Sequence, residues 1–267
     1  MSDSQHQPLQ FTDRAALVDH VARISPWLTP TAPSPFAGGR QAATLRLEAI
    51  QPRRYARTRN HIDGAVTRLS PYIRHGILTL DEVRSHAIAQ HGDPERFEKF
   101  IQELAWRDYW QRIYAAHPER IWNNIEPYKT GWSEDEYTQD MAEDIVTGQT
   151  DCACINAFIR RLEETGYLHN HARMYLAAYV VHWRRIRWQA GARWMLARLL
   201  DGDPASNNLS WQWVASTFSR KPYIFNLANV QKYTGDDVDT RPETNRALDA
   251  TYSELSERLF PHRGGHS

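Results

Sequence analysis

Residues 100–114 read FIQELAWRDYWQRIY, without a glycine or proline to interrupt a helix. Glu103, Trp106, Arg107 and Trp110 fall at positions i, i+3, i+4 and i+7, so a helix places them on one face. An acid, an arginine and two indoles in one stripe suit a ligand-facing surface. A core stripe with a Glu–Arg pair at its edge is the alternative, and burial preferences alone favour it.

Residues that typically start or end a helix recur along the rest of the chain. Helix starts are predicted at Ser70-Pro71 and Asp93-Pro94, and at two capping boxes, Thr79 to Glu82 and Ser133 to Glu136. Helix stops are predicted at His91-Gly92 and Thr165-Gly166. In residues 172–200 the main breaker is Gly191, so we expect two helices to meet there. No segment shows the alternation of a strand, and the predicted fold class is all-α, a helical bundle.

Composition narrows the class of protein. The chain has 267 residues, 41% hydrophobic, and a formal net charge of zero, which argues against a uniformly basic nucleic-acid binder. No apolar run is long enough for a membrane span and no secretory signal is visible, so we expect a cytoplasmic protein. Residues 26–39 are rich in proline and glycine and predict a linker or extended arm, and the tail after residue 240 is expected to be poorly ordered.

Metal and disulfide chemistry are not supported by the sequence. Cys152 and Cys154 are the only cysteines, too few for a disulfide framework or a four-thiolate zinc site. His169 and His171 lack further ligands at suitable spacing. The stretch Asp201-Gly202-Asp203 resembles the start of a calcium loop, but its twelfth position is Gln212 rather than glutamate. We therefore expect no metal.

Two more segments carry ligand-binding side chains. Residues 55–72 place hydroxyls and arginines beside the helix start at Ser70, an arrangement that suits an anion such as phosphate. Residues 200–217 contain Asn207 and Asn208 followed by Trp211 and Trp213. Adjacent amides suit the edge of a flat heteroaromatic ligand, and indoles suit base stacking.

Four strings, RLSPY (68–72), ELAWRDYW (103–110), TGYLHNHARM (165–174) and DGDPASNNLSWQW (201–213), occur in this order. Together they resemble the photolyase/cryptochrome family, and within it the cyclobutane-dimer photolyases most. The resemblance extends from about residue 36 to about residue 233. The resemblance implies a helical domain at residues 36–240 that holds FAD in a folded form, between an N-terminal arm (1–35) and a C-terminal tail (241–267). Only about 35 residues precede the matched region, too few for the family's antenna domain, so FAD is expected to absorb its own light.

The resemblance also implies which residues bind the cofactor. The phosphates would be held by Tyr55, Thr67, Arg68, Leu69 and Ser70, with Val66 replacing a family hydroxyl. Asp201 and Asp203 would bind the isoalloxazine edge and the ribityl chain, Arg173 would pair with Asp201, and Asn207 would face flavin N5. The remaining cofactor contacts implied are Phe100, Glu103, Arg107 and Gly202.

A second set of residues is implied for DNA and for electron transfer. The lesion pocket would use Glu103, Trp106, Asn170, Met174 and Trp213, with Arg59 and His171 near phosphate; His171 replaces a common arginine. Glu103, buried in the pocket, would stabilise or protonate the lesion during repair. Trp211 and Trp188 match the two inner members of the family's tryptophan relay. The outer member is open between Trp132 and Asp135, which an ungapped alignment puts there.

The function implied is light-driven repair of UV-damaged DNA, in which photoexcited reduced FAD donates an electron to a cyclobutane pyrimidine dimer. Because an unpaired lesion costs less to flip out and the net charge is zero, single-stranded DNA is the favoured partner. A blue-light photoreceptor of cryptochrome type, with FAD but without repair, is the alternative. A structural helical protein without cofactor is a third possibility.

Overall fold

The computed structural model describes residues 10–25 and 33–263. The chain divides into two compact units, Met1–Phe36 and Ala37–Ser267. In the first unit, helix α1 (Arg14–Ile24) begins after Asp13, whose carboxylate accepts a hydrogen bond from the Ala16 amide at 2.8 Å. Residues 26–32 of the predicted linker lie outside the described residues.

The second unit is helical throughout its described part. Its α-helices are α2 (Gly39–Glu48), α3 (Pro52–Thr58), α4 (Ser70–Arg74), α5 (Leu80–His91), α6 (Glu98–Ala116), α7 (Glu143–Val146), α8 (Ala153–Thr165), α9 (Asn170–Ala178), α10 (Trp188–Leu196), α11 (Pro204–Ala215), α12 (Leu227–Tyr233) and α13 (Tyr252–Leu259). Short 3-10 segments are Pro94–Phe97, Pro118–Ile121, Glu134–Glu136 and Pro242–Thr244, and Tyr179–Trp183 forms a π-helical turn. Residues 33–263 contain no strand beyond one isolated bridge between Thr138 and Ile186, so the all-α prediction is confirmed.

The predicted helix ends are largely present. The capping box of Thr79 and Glu82 starts α5, and Gly92 ends that helix with a φ of 76°, a conformation that glycine adopts without a Cβ clash. Gly166 ends α8 in the same way, with a φ of 65°. One start differs, because Ser70 is the first helical residue of α4 and Leu69 occupies the cap position.

Gly191 does not separate two helices as expected, because it lies inside α10. The break falls earlier, between the π-helical turn Tyr179–Trp183 and Trp188. An ideal Cβ on Gly191 would lie 2.4 Å from the Trp211 ring. The glycine is therefore needed for the close approach of α10 and α11. This requirement depends on packing between the two helices, so the local sequence pattern did not reveal it.

Besides a small cluster of Leu255, Leu259 and Phe260 around α13, two large hydrophobic clusters form the core of the second unit. The smaller of these two large clusters joins α2 to α6 and includes Leu69, Tyr72 and Phe100. The larger one is built from α8 to α11 and their connections, with Trp188 and Trp211 among its members. Helix α11 packs against α6, α9 and α10, so it links the two clusters and positions everything that lies between them.

The segment after residue 240 is ordered up to Arg263, in contrast to the poor order expected of it. Asn245 is fully buried, and its Oδ1 accepts a hydrogen bond from the Cys154 amide at 2.9 Å. Leu255 of α13 is also fully buried. These contacts are long-range, so local composition did not indicate them. Residues 264–267 of the predicted tail lie outside the described residues.

None of the helices in residues 10–25 and 33–263 combines the length and the apolar character that crossing a bilayer requires. Cys152 and Cys154 are both free and buried. Burial raises the pKa of the Cys154 thiol to about 12, which keeps it protonated and unreactive at neutral pH.

Gly191→Ala tests the close approach of α10 and α11. Although alanine favours a helix by about 1 kcal/mol, its Cβ must displace the Trp211 ring, and we expect a net loss of about 1–2 kcal/mol in the free energy of unfolding. Gly235→Ala is the control, since an ideal Cβ there meets nothing within 4 Å. Urea denaturation of both variants measures the difference, and an unchanged or stabilised Gly191→Ala variant would contradict the packing described.

Candidate functional site

A cavity of about 530 Å³ lies between the two large hydrophobic clusters of the second unit. Eighteen of the residues predicted for the site contribute to its lining. Those expected at the cofactor are Tyr55, Thr67, Arg68, Leu69, Ser70, Phe100, Glu103, Arg107, Arg173, Asp201, Asp203 and Asn207, those expected at the lesion are Arg59, Trp106, Asn170, Met174 and Trp213, and Trp211 was expected in the electron relay. Val66 lies there too. Residues as distant in sequence as Tyr55 and Trp213 thus meet at one site.

Asp201 and Arg173 form the ion pair that was expected between them. The Arg173 guanidinium donates to both Asp201 carboxylate oxygens, at 3.0 and 2.8 Å. Its Nε also donates to the Leu168 carbonyl at 2.7 Å, which fixes the plane of the guanidinium. The Asp201 side chain is only 3% exposed, so the pair places a compensated charge on the cavity wall.

Asp203 anchors the start of α11. One of its oxygens caps the helix by accepting from the Ala205 amide at 3.0 Å. The other accepts from the Gln111 amide at 2.6 Å and from the Ser206 hydroxyl at 2.9 Å, with the Arg107 guanidinium at 3.4 Å. The carboxylate therefore ties α6 to α11 across the edge of the cavity.

Asn207 and Asn208 have different roles, whereas both were expected at a ligand edge. Asn208 is fully buried and donates to the Ile121 carbonyl at 2.7 Å, away from the cavity. Asn207 lines the cavity, and its side-chain nitrogen donates to the Ala192 carbonyl and to Asn208 Oδ1, at 3.1 and 2.9 Å. These two bonds hold the Asn207 amide in a fixed orientation.

The loop before α4 contributes one of the positive charges of the cavity. Arg68 has a φ of 53°, a left-handed conformation that costs a non-glycine residue about 1 kcal/mol or more. Arg68 lines the cavity and takes part in none of the ion pairs between the described residues, whereas Arg59, Arg107 and Arg173 are each paired with a carboxylate. Its guanidinium is thus available to an anionic ligand.

An aromatic contact forms the wall next to this loop. The rings of Tyr55 and Phe100 meet edge to face, with centroids 5.4 Å apart. Burial raises the pKa of the Tyr55 hydroxyl, so it is a hydrogen-bonding neutral phenol at physiological pH.

Glu103 sits at the cavity with two cations beside it. Lys99 Nζ lies 2.8 Å and Arg59 Nη1 3.6 Å from the same carboxylate oxygen. The Glu103 side chain is 28% exposed, so the burial expected for it is only partial. The Lys99–Glu103 pair follows the i, i+4 spacing, a signal that the sequence offered and that the prediction overlooked.

Indoles surround the mouth of the cavity. The Trp106 and Trp213 side chains are 47% and 42% exposed, and both line the cavity. Trp106 stacks on Trp110, with ring centroids 5.3 Å apart and planes inclined by 30°. The stripe on α6 therefore faces the cavity and is not part of the core.

Four predicted site residues lie outside the cavity lining. Gly202 packs against the end of α10, where an ideal Cβ would approach the Leu196 carbonyl oxygen at 2.9 Å. His171 Nδ1 lies 3.0 Å from the Asn60 carbonyl oxygen, and the His171 ring packs on Tyr175 and Tyr233. The other two are the relay candidates Trp188 and Trp132.

Trp188 is fully buried, and its indole N–H donates to Asn124 Oδ1 at 2.6 Å. Trp132 is half-buried under the Arg185 guanidinium, which lies 4.6 Å from the ring centroid. Trp211, by contrast, reaches the cavity and contacts Gly191 on the helix of Trp188.

Sequence reasoning missed several residues in the cavity lining or directly behind it. Gln111 and Ser206 hold Asp203, and Tyr167 lines the cavity wall. Gln111 lies four residues after Arg107, on the same face of α6, so the helical spacing was the available signal.

At the start of α9, burial lowers the pKa of His169 to about 4, so its neutral ring can accept the His171 amide hydrogen at 3.0 Å. Over the described ranges, no group of three or more His, Cys, Asp or Glu side chains could hold a metal ion.

Comparison with known proteins relates this cavity to one family. The model of the FAD-binding domain of DNA photolyase matches residues 100–243. The deoxyribodipyrimidine photo-lyase of Streptomyces griseus is 35% identical over 57% of this chain and 32% of its own length, and that of Vibrio cholerae is 32% identical over 73% and 45%. The chain thus spans less than half the length of these relatives.

A solved structure agrees with the fold. The structure of a Synechocystis cryptochrome aligns with a TM-score of 0.68 and 22% identity, over 89% of this chain and 49% of its own. At that identity the likeness concerns the helical fold. The family match also confirms FAD as the cofactor that the sequence predicted. Because the family model covers more than half of the chain, this protein belongs to the family of the FAD-binding domain of DNA photolyase.

Proposed function

We propose that this protein repairs UV-damaged DNA by splitting cyclobutane pyrimidine dimers with light, using reduced FAD bound in the cavity. The observation that carries the proposal is one cavity with two unlike ends. Its inner wall holds Arg68 and the Arg173–Asp201 pair, and its mouth holds Trp106 and Trp213. The photo-lyases among its relatives support the same activity.

The inner part of the cavity fits FAD. Its volume, about 530 Å³, lies within the range of small-molecule sites. Arg68, with the hydroxyls of Thr67 and Ser70, offers a cation and hydrogen bonds to the phosphates. Asp203 and Asp201 offer acceptors to the ribityl chain and to the ring edge. Asn207 offers a neutral amide to N5 of the flavin.

When bound and reduced, FAD supplies an electron donor that light activates. The protein's own side chains position the lesion by stacking and hydrogen bonding. Trp106 and Trp213 present exposed rings on which the pyrimidines stack, which contributes about 1–3 kcal/mol per base. Lys99 and Arg59 hold the Glu103 carboxylate in place, where it accepts hydrogen bonds from the N3–H groups of the pyrimidines.

We propose single-stranded DNA as the preferred substrate. The net charge of the chain is zero, so the attraction to a duplex, with its dense phosphate charge, is weak. Stacking then supplies a larger share of the affinity, and an unpaired lesion enters the cavity without the cost of breaking base pairs.

The proposal includes an electron relay through Trp211, Trp188 and Trp132. Trp211 borders the cavity, Trp188 is fully buried, and Trp132 is half-buried. In this proposal an electron passes from the half-buried Trp132 through Trp188 to Trp211 at the cavity.

The direct test is a light-dependent repair assay. The FAD-loaded, reduced protein is mixed with single-stranded and duplex oligonucleotides that contain one dimer, with dark samples as controls. We expect dimers to disappear in the light only, and faster on the single strand. If FAD is bound and reduced but no dimer is lost, repair is excluded and a cryptochrome-type photoreceptor becomes the better explanation.

Asp201→Asn tests the cofactor end. The substitution keeps the side-chain volume but leaves the Arg173 guanidinium without its anion, so we expect about 3 kcal/mol lower stability and at least about tenfold weaker FAD binding. Asp144→Asn is the matched control, because it breaks the bidentate Arg184–Asp144 pair, whose carboxylate is 36% exposed. Equal FAD affinity of Asp201→Asn and wild type, in a fluorescence titration, would refute the role given to Asp201.

Glu103→Gln tests the lesion end. Removing a charged hydrogen-bond partner should lower the yield of dimer splitting by about tenfold. Binding of the oligonucleotide should not weaken, because a negative charge is removed next to a polyanion. Glu98→Gln, an exposed position on the same helix, serves as control. A parallel loss of yield and affinity would contradict the assigned role.

Trp188→Phe tests the relay. We expect photoreduction of the oxidised, FAD-loaded protein to slow by about tenfold or more, since phenylalanine is much harder to oxidise, while repair by chemically reduced protein is kept. Trp194→Phe, another buried indole outside the relay, is the control. Photoreduction at the wild-type rate in Trp188→Phe would show that electrons take another route.

A further inference from the structure

We propose that Tyr109 forms a second stacking site, outside the cavity, for an unpaired nucleobase next to the lesion. The inference rests on the proposed function and adds to it a contact that only a single strand can make. Tyr109 is on α6 and does not line the cavity, but its side chain is 42% exposed beside the cavity mouth.

The Tyr109 ring is held by two indoles. Its centroid lies 5.5 Å from that of Trp106 and 5.2 Å from that of Trp110, with interplanar angles of 83° and 54°. Trp110 in turn contacts Phe218 at 5.8 Å. The ring is therefore fixed on its inner side by packing, which lowers the entropy that binding would cost.

The outer side of the ring is open. A helical side chain leans over the preceding turn, so Tyr109 lies above Ala105, four residues earlier. Ala105 is exposed, and its methyl group is too small to cover a phenol ring. Gln102, one turn further along this face, is also exposed. The helix thus presents an uncovered aromatic face to solvent.

The position of this ring is not that of a scattered surface residue. The exposed large apolar side chains of the second unit's described part are Leu45, Trp106, Tyr109, Val146, Trp213 and Tyr252. Three of them are aromatic side chains at or beside the cavity: Trp106 and Trp213 line it, and Tyr109 contacts Trp106. Contiguous exposed apolar surface of this kind marks a binding site, whereas single exposed residues do not.

The angle between the rings selects the ligand. Neighbouring bases of a duplex strand lie parallel and about 3.4 Å apart. The Trp106 and Tyr109 rings are 5.5 Å apart and nearly perpendicular. Two successive bases can stack on both rings only if the second has left the duplex stack and turned. A base on Tyr109 therefore belongs to a single strand, and its recognition is tolerant of sequence because every base has an aromatic face.

The experiment measures binding of FAD-loaded wild type, Tyr109→Ala and Tyr109→Phe to three ligands. These are a dimer-containing dinucleotide, a pentanucleotide with the dimer between normal bases, and the same pentanucleotide with abasic neighbours. We expect Tyr109→Ala to weaken binding of the normal pentanucleotide by about fivefold to a hundredfold, the range of base–aromatic stacking, and to leave the other two ligands unchanged. Tyr109→Phe should bind like wild type.

Tyr252→Ala is the matched control, since Tyr252 is 47% exposed on α13, and it should not change any affinity. The proposal is overturned if Tyr109→Ala binds the normal pentanucleotide like wild type, or if it weakens all three ligands equally, which would mean a disturbed helix or a phosphate contact. Failure of wild type to bind even the dinucleotide is a separate result, which overturns the proposed function together with this inference.

Discussion

Two buried carboxylates at the start of α11 hold the site together. Asp201 is compensated by Arg173 from α9, and Asp203 by Arg107 and Gln111 from α6. A carboxylate that loses its partners in such a place costs several kcal/mol, so these contacts fix the relative positions of three helices. The cavity exists because α11, anchored in this way, spans two hydrophobic clusters that do not close on each other.

This arrangement separates two chemical environments within one cavity. The cations and acceptors lie on the inner wall, and the exposed indoles lie at the mouth. Helix α6 contributes to both, because Arg107 points toward Asp203 while Trp106 remains at the surface. Under the proposed function, a cofactor held deep inside and a flat substrate stacked at the mouth would meet along this helix, as transfer of an electron between them requires.

Local signals in the sequence predicted the helical fold and the stripe on α6, whereas most of the cavity residues were predicted from the resemblance to the photolyase/cryptochrome family. The i, i+3, i+4 and i+7 spacing of Glu103, Trp106, Arg107 and Trp110 requires only that a helix form, and the caps at Thr79 and Gly166 depend on nearby residues. What local signals could not supply were long-range contacts. Gly191 leaves room for the Trp211 ring. Asn208 donates a hydrogen bond to the Ile121 carbonyl, and Asn245 accepts one from the Cys154 amide. Each of these residues contacts a partner that is distant in sequence, so its role became visible only in the folded structure.

If the cavity holds the cofactor as described, each chain binds one FAD. Titration of the purified, cofactor-free protein with FAD, followed by flavin fluorescence, tests it most directly. We expect saturable binding at one equivalent, with strong quenching, because Trp106, Trp110 and Trp211 all line the cavity. Fluorescence that rises in proportion to added FAD, with no saturable component, would contradict it.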